Sequence, residues 1–110
     1  LDTFARENPD ILEAYLKSIK QAQDYIKDNK LEGQRILANN TGVPLGVVKS
    51  CWNEIDYELS LSERMLTLFE DQANWLQRDL ASESTIENFR AIINPAPMRK
   101  VHPKGITIIQ

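Results

Sequence analysis

Cysteine and histidine each occur once in 110 residues, as Cys51 and His102. A lone cysteine excludes an intrachain disulfide, and one cysteine with one histidine leaves no thiolate-rich set for zinc. Glycine is also scarce. Gly33, Gly42, Gly46 and Gly105 are the four present, and they form no phosphate-cradling loop with a lysine after a strand. No apolar run approaches the roughly 20 residues that cross a bilayer. Positive charge is in deficit: 13 Lys and Arg face 16 Asp and Glu, giving a formal charge of −3. The molecule as a whole therefore repels polyanions and anionic membrane surfaces. The chain opens Leu1-Asp2-Thr3 rather than on a methionine, and we expect it to be a piece of a longer protein.

What remains is an ordinary globular balance, 42% hydrophobic and 26% charged, over a length that suits one compact helical domain or subdomain spanning 1–110. Asn8-Pro9 reads as a helix start, with asparagine accepting from free backbone N–H groups and proline preset for the first helical position. Leu12, Tyr15, Leu16, Ile19, Ala22, Gln23 and Ile26 then recur at steps of three and four, with Lys17, Lys20, Asp24, Lys27 and Asp28 on a solvated opposite face. The pattern predicts a helix over 9–29. A second, 32–40, turns Ile36 and Leu37 inward and stops at Gly42. A third, 44–54, begins at Pro44, carries Val47, Val48, Cys51 and Trp52, and tolerates Gly46 at about 1 kcal/mol relative to alanine.

Tyr57 to Leu61 alternates and reads as a short extended connection. A fourth helix, 62–81, starts from Ser60 and Glu63 in capping-box spacing or from Ser62 as a simple cap. Its apolar positions are Met65, Leu66, Leu68, Phe69, Ala73, Leu76 and Leu80. Ser84-Thr85-Ile86-Glu87 is a second capping box, opening a fifth helix over 85–93 that ends before Asn94-Pro95-Ala96-Pro97. Lys104 to Ile109 is β-branched and apolar, suited to a strand whose partner lies outside this segment. The fold class is thus mainly α: about five helices and a short C-terminal extended segment. The expected core includes Leu16, Ile19, Leu37, Val48, Leu66, Phe69, Leu76 and Phe89.

Chemistry-bearing residues are sparse. His102, between Val101 and Pro103 in a loop, has no nucleophile or metal-ligand spacing beside it and reads as a surface histidine. Cys51 reads as a small packing residue. Glu54, Asp56 and Glu58 resemble a solvated turn more than an acid–base pair. Trp52 and Trp75 lie on or beside aliphatic faces, which favours core or interface packing over ligand stacking. No catalytic residue, cofactor or metal ligand is assigned, and the chain is not expected to be an enzyme.

The stretch 35–52, RILANNTGVPLGVVKSCW, has the alanine, glycine and valine spacing of a helix-turn-helix corner. As a DNA reader it is poorly equipped. Its second helix offers Lys49, Ser50 and Asn53 but runs into Glu54-Ile55-Asp56, which would face phosphate. No nucleic-acid partner is expected; a small helical regulatory or interaction module built on this corner is the alternative reading.

Three stretches carry a resemblance. They are Phe4-Ala5-Arg6-Glu7-Asn8-Pro9-Asp10-Ile11 running on to Leu16 through Ala22, then Ile36 through Pro44, then Asn88-Phe89 to Ile93 with Val101-His102-Pro103. In that order they resemble the C-terminal third of solute-binding proteins of the nitrate, sulfonate and taurine type of ABC importer, which also includes pyrimidine-precursor binders. The resemblance implies a two-lobed α/β parent, periplasmic or extracellular and membrane-associated, that closes around a small solute and delivers it to an ABC permease. The chain lacks the sheet-bearing lobes where that family makes most ligand contacts, and Gln77-Arg78-Asp79 lacks the glycine common after the long helix. No ligand-binding residue is carried over, so the ligand residues are unknown. The sequence also allows a dimer through exposed apolar surface or the C-terminal strand.

Overall fold

The computed structural model describes residues 2–79 and 88–109. It is mainly α-helical, as expected, with seven helices among the described residues. They are α1 (Asp2–Glu7), α2 (Pro9–Asp28), α3 (Lys30–Thr41), α4 (Leu45–Cys51), α5 (Glu63–Asp79), α6 (Phe89–Ile92) and α7 (Ala96–Val101). Two compact units divide the chain, Leu1–Leu59 and Ser60–Gln110. No helix among the described residues is long and apolar enough to cross a membrane.

In the first unit two asparagines punctuate the chain. Asn8 and Asn29 each stand alone between helices, with φ/ψ of −130°/53° and −129°/55°. Each donates both its backbone N–H and its side-chain Nδ2 to the carbonyl four residues back: Phe4 for Asn8, at 2.9 and 3.1 Å, and Tyr25 for Asn29, at 2.8 and 3.1 Å. Asn8 therefore closes α1 rather than capping α2 with its side chain as anticipated, and α1 itself was not anticipated. Both asparagines satisfy helix-end carbonyls that would otherwise be orphaned. At the corner, Gly42 is left-handed (φ 73°) and its N–H reaches the Ala38 carbonyl at 2.9 Å, the stop expected of a glycine there. Pro44 precedes α4 rather than opening it. Its carbonyl accepts from Val47 and Val48, and the 44–54 helix expected from sequence is a seven-residue α4 followed by a 3₁₀ turn at Trp52–Glu54. Val48 and Trp52 are buried, as are Gly33, Gln23 and Gln34.

In the second unit Ser62 is the cap of α5: its hydroxyl accepts from the Met65 N–H at 3.2 Å, so the simpler of the two expected caps is realised. Glu63 is thereby released for other work. Its two carboxylate oxygens receive Nη1 and Nη2 of Arg90, both at 2.7 Å, and one of them also receives the Ile109 N–H at 2.5 Å. Arg90 also donates to the Ile109 carbonyl. The C-terminal tail is held further by a single parallel bridge between Leu61 and Ile106, with Leu61 N–H to Gly105 (2.8 Å) and Thr107 N–H to Leu61 (2.9 Å). The tail thus finds its partner within its own unit, correcting the expectation of an outside one, and no regular strand forms among the described residues. The Asn94–Pro97 stretch also does more than stop a helix. The Asn94 side chain accepts from the Ala96 N–H at 3.1 Å, and α7 starts there with proline in its first turn. The Ser84–Glu87 capping box, the start of the 85–93 helix and the end of the 62–81 helix lie outside the described residues.

Among the described residues of this unit, Leu66, Met98 and Ile108 are the buried apolar side chains, Leu66 at 1% exposure. Of the expected core, Val48 and Leu66 are buried and Leu16, Ile19, Leu37 and Phe89 are half-buried. Phe69 (38%) and Leu76 (49%) are exposed, as is Ile36. A unit of this size encloses little interior, and part of the apolar stripe of α5 stays at the surface.

Candidate functional site

The most enclosed chemistry of the first unit gathers around Trp52. The indole lies against Gly33, where an added Cβ would sit 3.4 Å from both Ile26 and Trp52, so glycine lets the ring approach α3 closely. Tyr57 stacks on Trp52 with centroids 4.4 Å apart and planes inclined by 31°. Gln23, only 3% exposed, accepts the Leu59 N–H on Oε1 at 2.7 Å and so fixes the extended 57–59 segment against α2.

Two hollows share the wall formed by Ile26, Trp52 and Tyr57. The larger, 390 Å³, is apolar, with Tyr25, Ile36 and Leu37 completing it. The smaller, 210 Å³, is polar, with Gln23, Lys27, Lys30, Asp56 and Glu58 around it. Lys30 donates to Asn53 at 3.3 Å, and Asp56 accepts the Glu58 N–H at 3.0 Å in a local turn. Burial raises the Tyr57 hydroxyl above its ordinary value, with the neighbouring Cys51 adding to the effect, and that hydroxyl has no hydrogen-bond partner among the described residues.

The other residues singled out from sequence fall as follows. Cys51 is half-buried and directs its thiol at the Val47 carbonyl, 3.2 Å away, consistent with a packing role. His102 is not a surface loop residue: it is half-buried and ends α7, its N–H donating to Met98 at 2.8 Å. Trp75, expected to pack in a core or an interface, is 62% exposed and so lies outside any core. Glu54, Asp56 and Glu58 are exposed. On α4 the outward side chains include Val47 and Lys49, while Ser50 folds back on the Val47 carbonyl at 2.7 Å. The structure thus brings Trp52 to the hollows and leaves Trp75, Cys51 and His102 outside them.

Sequence reasoning missed Tyr57 and the polar role of Gln23. The available signal was Gln23 itself, an amide on an otherwise apolar stripe. A third hollow of 270 Å³ lies in the second unit, where Phe69 and Phe89 meet at 5.8 Å between ring centres. Among the described residues no cluster of three or more His, Cys, Asp or Glu side chains is arranged to hold a metal. No known family, curated protein or solved structure matches the chain.

Proposed function

We propose that the chain is the C-terminal helical part of a solute-binding protein of the nitrate, sulfonate and taurine ABC-importer type, acting outside the cytoplasmic membrane with a permease as its partner. The parent is read as a two-lobed α/β protein. The observation that carries this reading is the succession of elements. A long helix opening at Asn8-Pro9 is followed by a 12-residue helix, a left-handed glycine, a short helix and a second long helix, and then proline-punctuated closing turns. The opening of the long helix, the glycine corner and the closing turns are the stretches on which the resemblance rests.

A second observation supports it. Ile11, Tyr15, Leu68, Trp75 and Leu76 are large apolar side chains left outward on α2 and α5, as expected of helices that a further layer covers in the parent. The alternative, a helical regulatory or interaction module, draws on the left-handed Gly42 corner between α3 and α4. Against its DNA-reading form, Glu54 and Asp56 stand exposed just beyond the short second helix.

The test is calorimetric titration of the intact gene product with nitrate, alkyl sulfonates and pyrimidine-like heterocycles, with duplex DNA run in parallel at near-physiological salt. Saturable one-to-one binding of one of these solutes is the expected result. Absence of solute binding together with tight, sequence-dependent DNA binding would overturn the reading in favour of the alternative.

A further inference from the structure

We propose that the segment Ile106 to Ile109 is an exchangeable strand: the seat formed by Leu61, Glu63 and Arg90 accepts the same segment from a second copy of this chain, giving a reciprocal, strand-swapped dimer. The exchange involves the second unit alone and does not rest on the solute-receptor reading. It follows first from how the seat grips the segment. Leu61 pairs in parallel with Ile106, giving its N–H to the Gly105 carbonyl and accepting the Thr107 N–H on its own. Were that parallel ladder to run on, residue 63 would accept the Ile109 N–H on its backbone carbonyl. The chain instead enters α5 at Glu63, and the Glu63 carboxylate takes that N–H in the carbonyl's place, while Arg90 donates to the Ile109 carbonyl. The Glu63–Arg90 ion pair thus extends a single bridge into a seat for a strand. Every one of these bonds goes to the backbone of the segment, so a segment supplied by another molecule can make them too.

The side chains then decide which segment fits. Ile108 is buried and Ile106 half-buried, whereas Thr107 and Ile109 are exposed, the alternation of a strand with one face inward. The seat therefore calls for an extended stretch with branched apolar residues two apart, and a second copy carries that stretch by construction. The tether permits the exchange: a 3₁₀ turn of three residues, Pro103–Gly105, joins the strand to α7, and rotation at a few dihedrals there moves the strand as a unit. Two copies that trade identical segments remake each contact of the closed monomer twice, so the main cost is that of association. The resident strand competes at the effective concentration its tether imposes, of millimolar order for a short connection. The closed monomer accordingly dominates in dilute solution, and the exchanged dimer grows with concentration.

The probe is a fluorophore-labelled peptide of residues 104–110, KGITIIQ, titrated into the 110-residue chain and followed by anisotropy. Thr107→Pro removes, at an exposed position, the N–H that reaches Leu61. Placed in the chain, it should loosen the resident strand and tighten peptide binding several-fold; placed in the peptide, it should abolish binding. Ile108→Ala should act with the same opposed signs, and serves if circular dichroism shows that the proline variant has lost helix. Adding Arg90→Ala to the Thr107→Pro chain should cancel the gain. Light scattering on the unaltered chain should show monomer at micromolar concentration and a dimer fraction that rises toward about 1 mM. Absence of saturable peptide binding to the variant chains, or the same sign of effect in chain and peptide, would overturn the seat. Peptide binding by a chain that stays monomeric throughout would overturn the second copy as its occupant.

Discussion

Truncating Leu66 to alanine should be the most damaging single change in the second unit. Leu66 is 1% exposed and sits one turn into α5; Met98 and Ile108 are the other buried apolar side chains among the described residues of the unit. Deleting three carbons there removes their transfer free energy and leaves a void that a small core cannot close, about 3–5 kcal/mol in all. Against a net stability of roughly 5–15 kcal/mol, that is a large fraction. Phe69, on the same helix but 38% exposed, should lose only about 1–2 kcal/mol as alanine, although a phenylalanine carries the larger side chain. Urea denaturation followed at 222 nm gives both values, read as a shift in midpoint with an unchanged slope. If Phe69→Ala costs as much as Leu66→Ala, or Leu66→Ala costs less than about 1 kcal/mol, the burial pattern described for α5 is wrong.

Three further outcomes are expected. Glu63 is lowered from 4.5 to about 2, chiefly by its hydrogen bonds to Arg90 and then by the Ile109 N–H. Its contribution to stability is therefore full above pH 4.5 and is lost as pH falls toward 2; Glu63→Gln should lack that part of the acid dependence in urea midpoints taken at stepped pH. Tyr57→Phe removes a buried hydroxyl that has no hydrogen-bond partner among the described residues, and should raise the thermal midpoint by an amount equivalent to about 1 kcal/mol; a clear fall would show that the hydroxyl is satisfied. Gly42→Ala should destabilise by about 1–2 kcal/mol because φ is +73°. Gly46→Ala, in α4 with open space around it, should stabilise by about 0.5–1 kcal/mol, and equal signs for the two glycines in thermal melts would contradict the corner geometry.

The long helices were legible because α2 and α5 repeat their apolar residues over several turns, and Gly42 because a left-handed stop has a strong residue preference. Short elements were not. The six residues of α1 and of α7 span too few turns for a period to emerge. The break at Asn29 rests on two bonds to one carbonyl, which composition does not encode. The Glu63–Arg90–Ile109 clasp joins positions far apart in the chain, and Glu63 was read only through its local spacing to Ser60. For the candidate site, Trp52 was visible as an aromatic on an apolar face. Tyr57 was assigned to a connecting segment, and its stacking on Trp52 depends on Gln23 anchoring Leu59 from 36 residues away. Phe69 and Leu76 were placed inward because periodicity reports which side of a helix is apolar, not whether anything covers it.

The asparagine joints at positions 8 and 29 confine rotational error. In a continuous helix, adding or deleting one residue turns everything downstream by about 100° about the axis and would carry an apolar stripe off its partner. Here each helix is phased separately. A change in the length of α1 ends at Asn8, and the stripe of α2 keeps its bearing, with Ile26 in its last turn still against Gly33. The first unit can therefore vary in length at α1 while the angular setting of the Trp52 hollows is inherited intact.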